Sequence, residues 1–158
     1  VKSIVVYDSV YGNTRTVALE LARQLTEMGY QTSTVNIAEH DVQDTACDLL
    51  CIGSPTRMKK ATRQVKKFVK HLDPEALRGT RIVLFDTILA LPEDPKEREK
   101  ARKWVVVNAV TRMQDILAKK GLSDRASSFH VEVTGMKGPL APDYPARISE
   151  HLASLKTL

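Results

Sequence analysis

Ser3-Ile-Val-Val-Tyr-Asp-Ser-Val-Tyr-Gly-Asn-Thr-Arg-Thr-Val-Ala18 is the stretch whose reading decides the fold. Ile4 to Tyr7 is a continuous apolar run, the pattern of a strand buried on both faces. Ser9 to Thr14 is a short polar turn, and helical spacing of apolar residues begins directly after it. The turn places small oxygen-bearing side chains and one glycine where a helix starts. A helix N-terminus carries unpaired backbone N–H groups and a partial positive charge, so it attracts anions. The hydroxyls of Ser9 and Thr14 can donate to phosphate oxygens, and Gly12 can take positive φ. No Gly-Lys-Ser/Thr follows the glycine, and G-x-G-x-x-G is absent, so neither the triphosphate loop nor the dinucleotide fingerprint is present. A hydroxyl-rich loop without lysine suits a phosphate monoester. Taken alone, the turn is equally an ordinary strand–turn–helix junction capped by Asn13 or Ser9.

Outward from this stretch the chain keeps alternating strands and helices. The first helix is expected from about Asn13 to Met28, with Val17, Leu21, Leu25 and Met28 as its apolar stripe and Gly29 as its stop. A second strand over Gln31 to Asn36 has weaker, alternating hydrophobicity, which suits a sheet edge. A third strand, Leu49 to Ile52, runs into Gly53-Ser54-Pro55-Thr56. A second helix spans about Thr62 to Leu72, with Val65, Phe68, Val69 and Leu72 on one face. Its other face is basic (Arg63, Lys66, Lys67, Lys70), and Lys59 and Lys60 precede it; this is either a binding patch or a solvated helix face. A fourth strand, Arg81 to Phe85, is expected to end at Asp86-Thr87, with Ile88 to Asp94 as loop. A third helix is expected from about Lys96 to Lys120, a fifth strand from Ser128 to Val133 and a last helix from Tyr144 to Leu155. This order predicts an α/β fold, a parallel sheet with helices on both faces. Ligands in such folds sit beyond the C-terminal strand ends, where the turns after strands one, three and four would meet.

The bulk properties set the frame. A chain of 158 residues, 42 % apolar and 27 % charged, fits one soluble domain, and no apolar run reaches membrane-span length. The chain opens directly on a strand, so a cytoplasmic protein is expected, with no membrane partner. Cys47 and Cys51 are spaced C-x3-C, which is neither a thioredoxin-type nor a zinc pattern, and they read as reduced structural thiols. The four histidines show no ligand spacing, so no metal is expected. Net charge is +5. Few aromatics accompany it and none stands on the basic face among those cations, which argues against nucleic acid.

Ser9-Val-Tyr-Gly-Asn-Thr14 resembles the FMN phosphate loop of the flavodoxin family, S/T-x-T-G-x-T, with Tyr11 at the third position as in flavodoxin domains of flavodiiron proteins. Leu50-Cys-Ile-Gly-Ser-Pro-Thr56 is similar to the family's second FMN loop. Phe85-Asp-Thr87 and Val133-Thr-Gly-Met-Lys-Gly-Pro-Leu140 are similar to small single-domain members. The resemblance covers the whole chain. It implies one flavodoxin-like domain, a doubly wound sheet of five parallel strands in order 2-1-3-4-5, and an FMN site. Carried over by position, Ser9, Val10, Tyr11, Gly12, Asn13 and Thr14 would hold the phosphate. Pro55, Thr56, Arg57 and Met58 would line one side of the isoalloxazine, and Asp86, Thr87 and Ile88 would approach the other. Ser54 and Asp8 read instead as strand-end packing and hydrogen bonding.

Two departures shape the functional expectation. The family's flanking Trp and Tyr are missing from both ring loops, and Trp104, farther along, reads as packing. Each lost stacking contact weakens flavin affinity by about 0.5–1.5 kcal/mol beyond its area. Arg57, Lys59 and Lys60 also sit where the resemblance places the ring, and cations there favour the anionic reduced flavin. The expectation is an FMN-binding electron-transfer protein, less negative in potential than an acidic flavodoxin, with redox partner proteins acidic at the contact surface. The alternatives are an FMN-dependent NAD(P)H or quinone reductase, and a flavodoxin-fold interaction module with weak or no flavin binding.

Overall fold

In the computed structural model, residues 1–155 are described. Five strands, β1 (Lys2–Tyr7), β2 (Gln31–Asn36), β3 (Leu49–Pro55), β4 (Arg81–Leu89) and β5 (Ala126–Val133), form one sheet in the order β2-β1-β3-β4-β5. Every pairing is parallel. The helices are α1 (Asn13–Glu27), α2 (Arg63–Lys70), α3 (Pro95–Val105), α4 (Ala109–Lys119) and α5 (Tyr144–Leu155).

Strand periodicity divides the core into two layers. Val5, Tyr7, Cys51, Val83 and Phe85 point to one face and pack with Val17, Leu21 and Leu25 of α1 and Ile148 and Leu152 of α5. Val6, Leu50, Ile52, Ile82 and Leu84 point to the other and pack with Val65 and Val69 of α2 and Val110, Met113 and Leu117 of α4. The central register runs Tyr7–Gly53–Phe85–Phe129 across the sheet. Gly53 has to be glycine: a Cβ there would fall 2.1 Å from the Phe85 ring, which itself stacks on Phe129 at 5.5 Å.

The structure changes three expected boundaries. β3 does not end at Ile52 but runs on through Gly53 and Ser54 to Pro55, paired with β4 as far as Thr87. β4 does not stop at Phe85 but continues through Asp86, Thr87 and Ile88 to Leu89, paired with β5 as far as Val133. The polar pair Asp86-Thr87 reads as a turn in sequence, yet both side chains find partners inside the protein. The single third helix is in fact two. α3 ends at Val105 with Val106 as its C-cap, and Asn108 caps α4 reciprocally, its side chain accepting from Thr111 N while Thr111 Oγ1 accepts from Asn108 N. The β-branched run Val105-Val106-Val107 weakens helix continuity at that point.

Candidate functional site

The C-terminal ends of β1, β3, β4 and β5 open on one cavity of about 620 Å³, within the range of small-molecule sites. Of the residues singled out from sequence, Ser9, Val10, Tyr11, Asn13 and Thr14 line one wall. Pro55, Thr56, Arg57 and Met58 line a second, and Thr87 and Ile88 a third. Gly12 and Asp86 are not on its surface.

The β1 loop is held open by its own polar groups. Asp8 Oδ1 accepts from Ser9 N at 2.8 Å, and Ser9 Oγ accepts from Gly12 N at 3.0 Å. Gly12 has φ 97°, the left-handed conformation its position requires. No side chain caps α1, so its first N–H groups face the loop with no internal cap. The hydroxyl of Ser9 keeps its hydrogen free to donate. Thr14 differs from expectation: it is buried, and its Oγ1 lies 2.8 Å from Thr87 Oγ1, tying the β1 loop to β4. Ser54 is a strand-end residue as read, donating to Pro55 O and accepting from Thr62 N.

The β3 loop folds back as a tight turn, with Arg57 and Lys60 exchanging both backbone hydrogen bonds at 2.9 Å. Met58 (φ 48°) and Lys59 (φ 66°) form its tip in left-handed conformation, uncommon for non-glycine residues and frequent at functional sites. Thr56 N donates to Thr87 O, which joins this loop to β4.

Asp86 lies behind the wall rather than on it. It is fully buried, one carboxylate oxygen accepting from Thr56 Oγ1 at 2.8 Å and the other paired with His130 Nδ1 at 2.7 Å. Thr56 Oγ1 in turn accepts from Ala109 N, the first residue of α4. The hydrogen bond with Asp86 holds the His130 pKa above the ordinary histidine value, against the opposing effects of burial and Arg147. Asp86 therefore supports the Thr56 wall from behind the cavity surface. Burial pushes the Cys51 thiol up, which keeps it protonated and inert.

Several wall residues escape a reading of the strand-end turns alone. Leu89 to Pro92, Ala101, Trp104, Val105, Val133 and Met136 complete the cavity. Trp104 is not core packing: it is 59 % exposed, lines the cavity and carries the Lys59 ammonium 4.8 Å above its ring. The signal was the i, i+3, i+4 spacing of Ala101, Trp104 and Val105, which puts all three on one face of α3.

A loop-bounded cavity at the strand ends of a 2-1-3-4-5 sheet, beside a first helix with no side-chain cap, defines a doubly wound α/β protein with a candidate ligand site at the strand-order reversal. A flavodoxin-domain family model matches residues 4–133, and the chain belongs to that family. Among solved structures it is similar to oxidised Flavodoxin 2 from Bacillus cereus, with 17 % identity, full coverage of both chains and TM-score 0.69. It is also similar to a Fusobacterium nucleatum flavodoxin bound to flavin mononucleotide, with 14 % identity, 99 % and 98 % coverage and TM-score 0.66. Against the rubredoxin oxygen:oxidoreductase of Desulfovibrio gigas the identity is 16 % and the TM-score 0.62; 99 % of this chain matches but only 37 % of that one. No curated protein matches. Among the described residues, no helix is long and apolar enough to cross a membrane.

Proposed function

We propose that the protein binds FMN in this cavity and transfers electrons between redox partners. The observation that carries the reading is the convergence of the Ser9–Thr14 loop, the Pro55–Met58 turn and the Thr87–Ile88 strand end on one cavity. The donor set fits the group. The first N–H groups of α1, the N–H groups of the loop and the Ser9 hydroxyl suit a phosphate monoester. The flanking walls at Pro55, Met58, Ile88 and Leu89 are apolar and suit a planar ring. Bound FMN would supply the one- and two-electron chemistry. The chain's own part is to anchor the phosphate, exclude water from the ring and set the local charge. Arg57 and Lys59 line the cavity, so the charge they supply there is positive.

The test is titration of the purified protein with FMN, followed by flavin fluorescence. Quenching to saturation at one equivalent, lost or weakened at least about tenfold in Gly12→Val and Ser9→Ala variants, supports the reading. A protein that leaves flavin fluorescence unchanged overturns it, and favours the interaction module.

A second reading, an FMN-dependent NAD(P)H or quinone reductase, is favoured by a specific observation. The cavity lining extends beyond the residues assigned to the ring to Leu91, Pro92, Ala101 and Trp104, an apolar stretch against which a second molecule would sit. Steady-state NAD(P)H oxidation coupled to a quinone would distinguish it from a carrier.

A further inference from the structure

Nine large apolar side chains are left exposed among the described residues, and six of them line the cavity just described. A seventh, Val106, directly follows the lining residue Val105. The seven come from five separate segments. Val10 and Tyr11 stand on the loop after β1. Met58, 86 % exposed, is at the tip of the turn after β3. Leu89 ends β4, Trp104 and Val106 close α3, and Met136, 72 % exposed, stands on the loop after β5. None of them belongs to either core layer. Single exposed apolar residues are ordinary, but a concentration on one face marks a contact surface.

Cations are interleaved with this patch. Arg57, Lys59 and Lys60 flank Met58, Lys103 precedes Trp104, and Lys137 follows Met136. Lys59 and Lys137 lie over the rings of Trp104 and Tyr11, at 4.8 and 5.8 Å. On α3, Glu97 and Glu99 pair with Lys100 and Arg102, and Asp94 caps the helix N-terminus. We propose that this face binds an anionic membrane surface, its apolar tips entering the headgroup region while the lysines and Arg57 meet lipid phosphates. The composition favours lipid over a protein partner. Protein interfaces also enrich Trp, Tyr, Met and Arg, but they deplete lysine, and four of the five cations here are lysines (Lys59, Lys60, Lys103, Lys137) set beside tryptophan and aliphatic tips, as interfacial membrane contact requires. Expecting no membrane partner rests on the absence of a span, and surface binding needs none. The proposal is carried by the protein's own surface and does not require bound FMN.

The test uses the full chain, with and without FMN, in sedimentation with phospholipid vesicles, either zwitterionic or containing about one third anionic lipid. The expected result is at least about tenfold more binding to the anionic vesicles, reversed by high salt. Trp104, the only tryptophan of the chain, should shift its emission to the blue and be quenched by brominated lipid. The double variant Val106→Asp/Met136→Asp should lose this binding. Lys119→Glu, the same change in charge at the far end of α4, should keep it. Absence of binding to anionic vesicles overturns the proposal. So does binding that leaves Trp104 emission unmoved, or equal loss in Lys119→Glu. Should the double variant fail to fold, the brominated-lipid quenching of the wild-type protein decides. Vesicle binding and FMN titration are read separately, so either can fail alone.

Discussion

Asp86 has no exposed surface, and its two carboxylate oxygens are committed in different directions. Removing a buried carboxylate's partner leaves an unpaired charge, so the pair with His130 contributes to stability. Its sign with pH follows from the raised His130 pKa. The contribution is fully present below the unfolded histidine pKa, about 6.5, and is lost as pH rises through the higher folded value. Glutamine at position 130 can still donate to Asp86 but cannot titrate. Thermal melts of wild type and His130→Gln from about pH 5 to about pH 9 should therefore diverge most at the acid end. The difference there should be about 1 kcal/mol, reduced from a fully buried pair because the His130 side chain is 38 % exposed. Burial lowers the His151 pKa, which gives the opposite slope, so the difference between the two proteins is the reading. An equal difference at both ends would contradict the assignment. Asp86 also shows where sequence stops being informative at this scale. A polar residue after an apolar strand reads as a turn, and only the neighbouring strand, with His130 in register, reveals a buried pair.

The two helices between β4 and β5 differ in kind. α4 buries Ala109, Val110, Met113 and Leu117 against the sheet, whereas α3 buries nothing and faces the cavity with Ala101, Trp104 and Val105. Met113→Ala should cost about 2–5 kcal/mol in denaturant unfolding, because it opens a hole in a closed layer. Trp104→Ala should stay within about 0.5 kcal/mol of wild type, since no core contact is lost. Its effect should fall on ligand affinity instead. Native-state hydrogen exchange should find α3 amides far less protected than those of α4. Comparable protection in the two helices would mean that α3 is anchored in some way other than the contacts described. Strands β1, β3, β4 and β5 and the amphipathic helices α1, α2 and α5 were legible because each buries apolar residues in a clear pattern, and β2, which buries none, was legible only as a half-exposed sheet edge. The α3–α4 break was only half legible: the β character of Val105-Val106-Val107 marks it, but a charged helix followed by an apolar one at helical spacing reads as one helix. Asn108, with Thr111 three residues on, was the local sign that a second helix starts there.

At the scale of the whole molecule, charge and site geometry meet at the cavity. The net charge of +5 is not spread evenly: Arg57 and Lys59 line the cavity, and Lys60 closes the same turn. A cation near the ring favours the anionic reduced form of a bound flavin over the oxidised form, so it raises the potential. Reversing one such charge should shift the ratio of reduced to oxidised FMN affinity about threefold to tenfold, given exposed positions in high dielectric. That ratio corresponds to a potential on the order of 30 to 60 mV more negative for a one-electron step. Redox titrations of the FMN-loaded wild type and of Lys59→Glu would measure it, and raised salt should shrink the gap. Lys119→Glu, remote from the cavity, controls for net charge alone. A Lys59→Glu potential equal to wild type, or a shift matched by Lys119→Glu, would place the ring away from the turn that Arg57 and Lys60 close. The sequence located these cations beside the expected ring because they follow the third strand directly. It did not show that the turn is closed by paired Arg57–Lys60 backbone bonds, with Lys59 on the cavity wall and its ammonium over the Trp104 ring. The Lys59 ammonium is placed by the Trp104 ring, which a guanidinium can cover equally, so a charge effect predicts that Lys59→Arg stays close to the wild-type potential while Lys59→Glu does not.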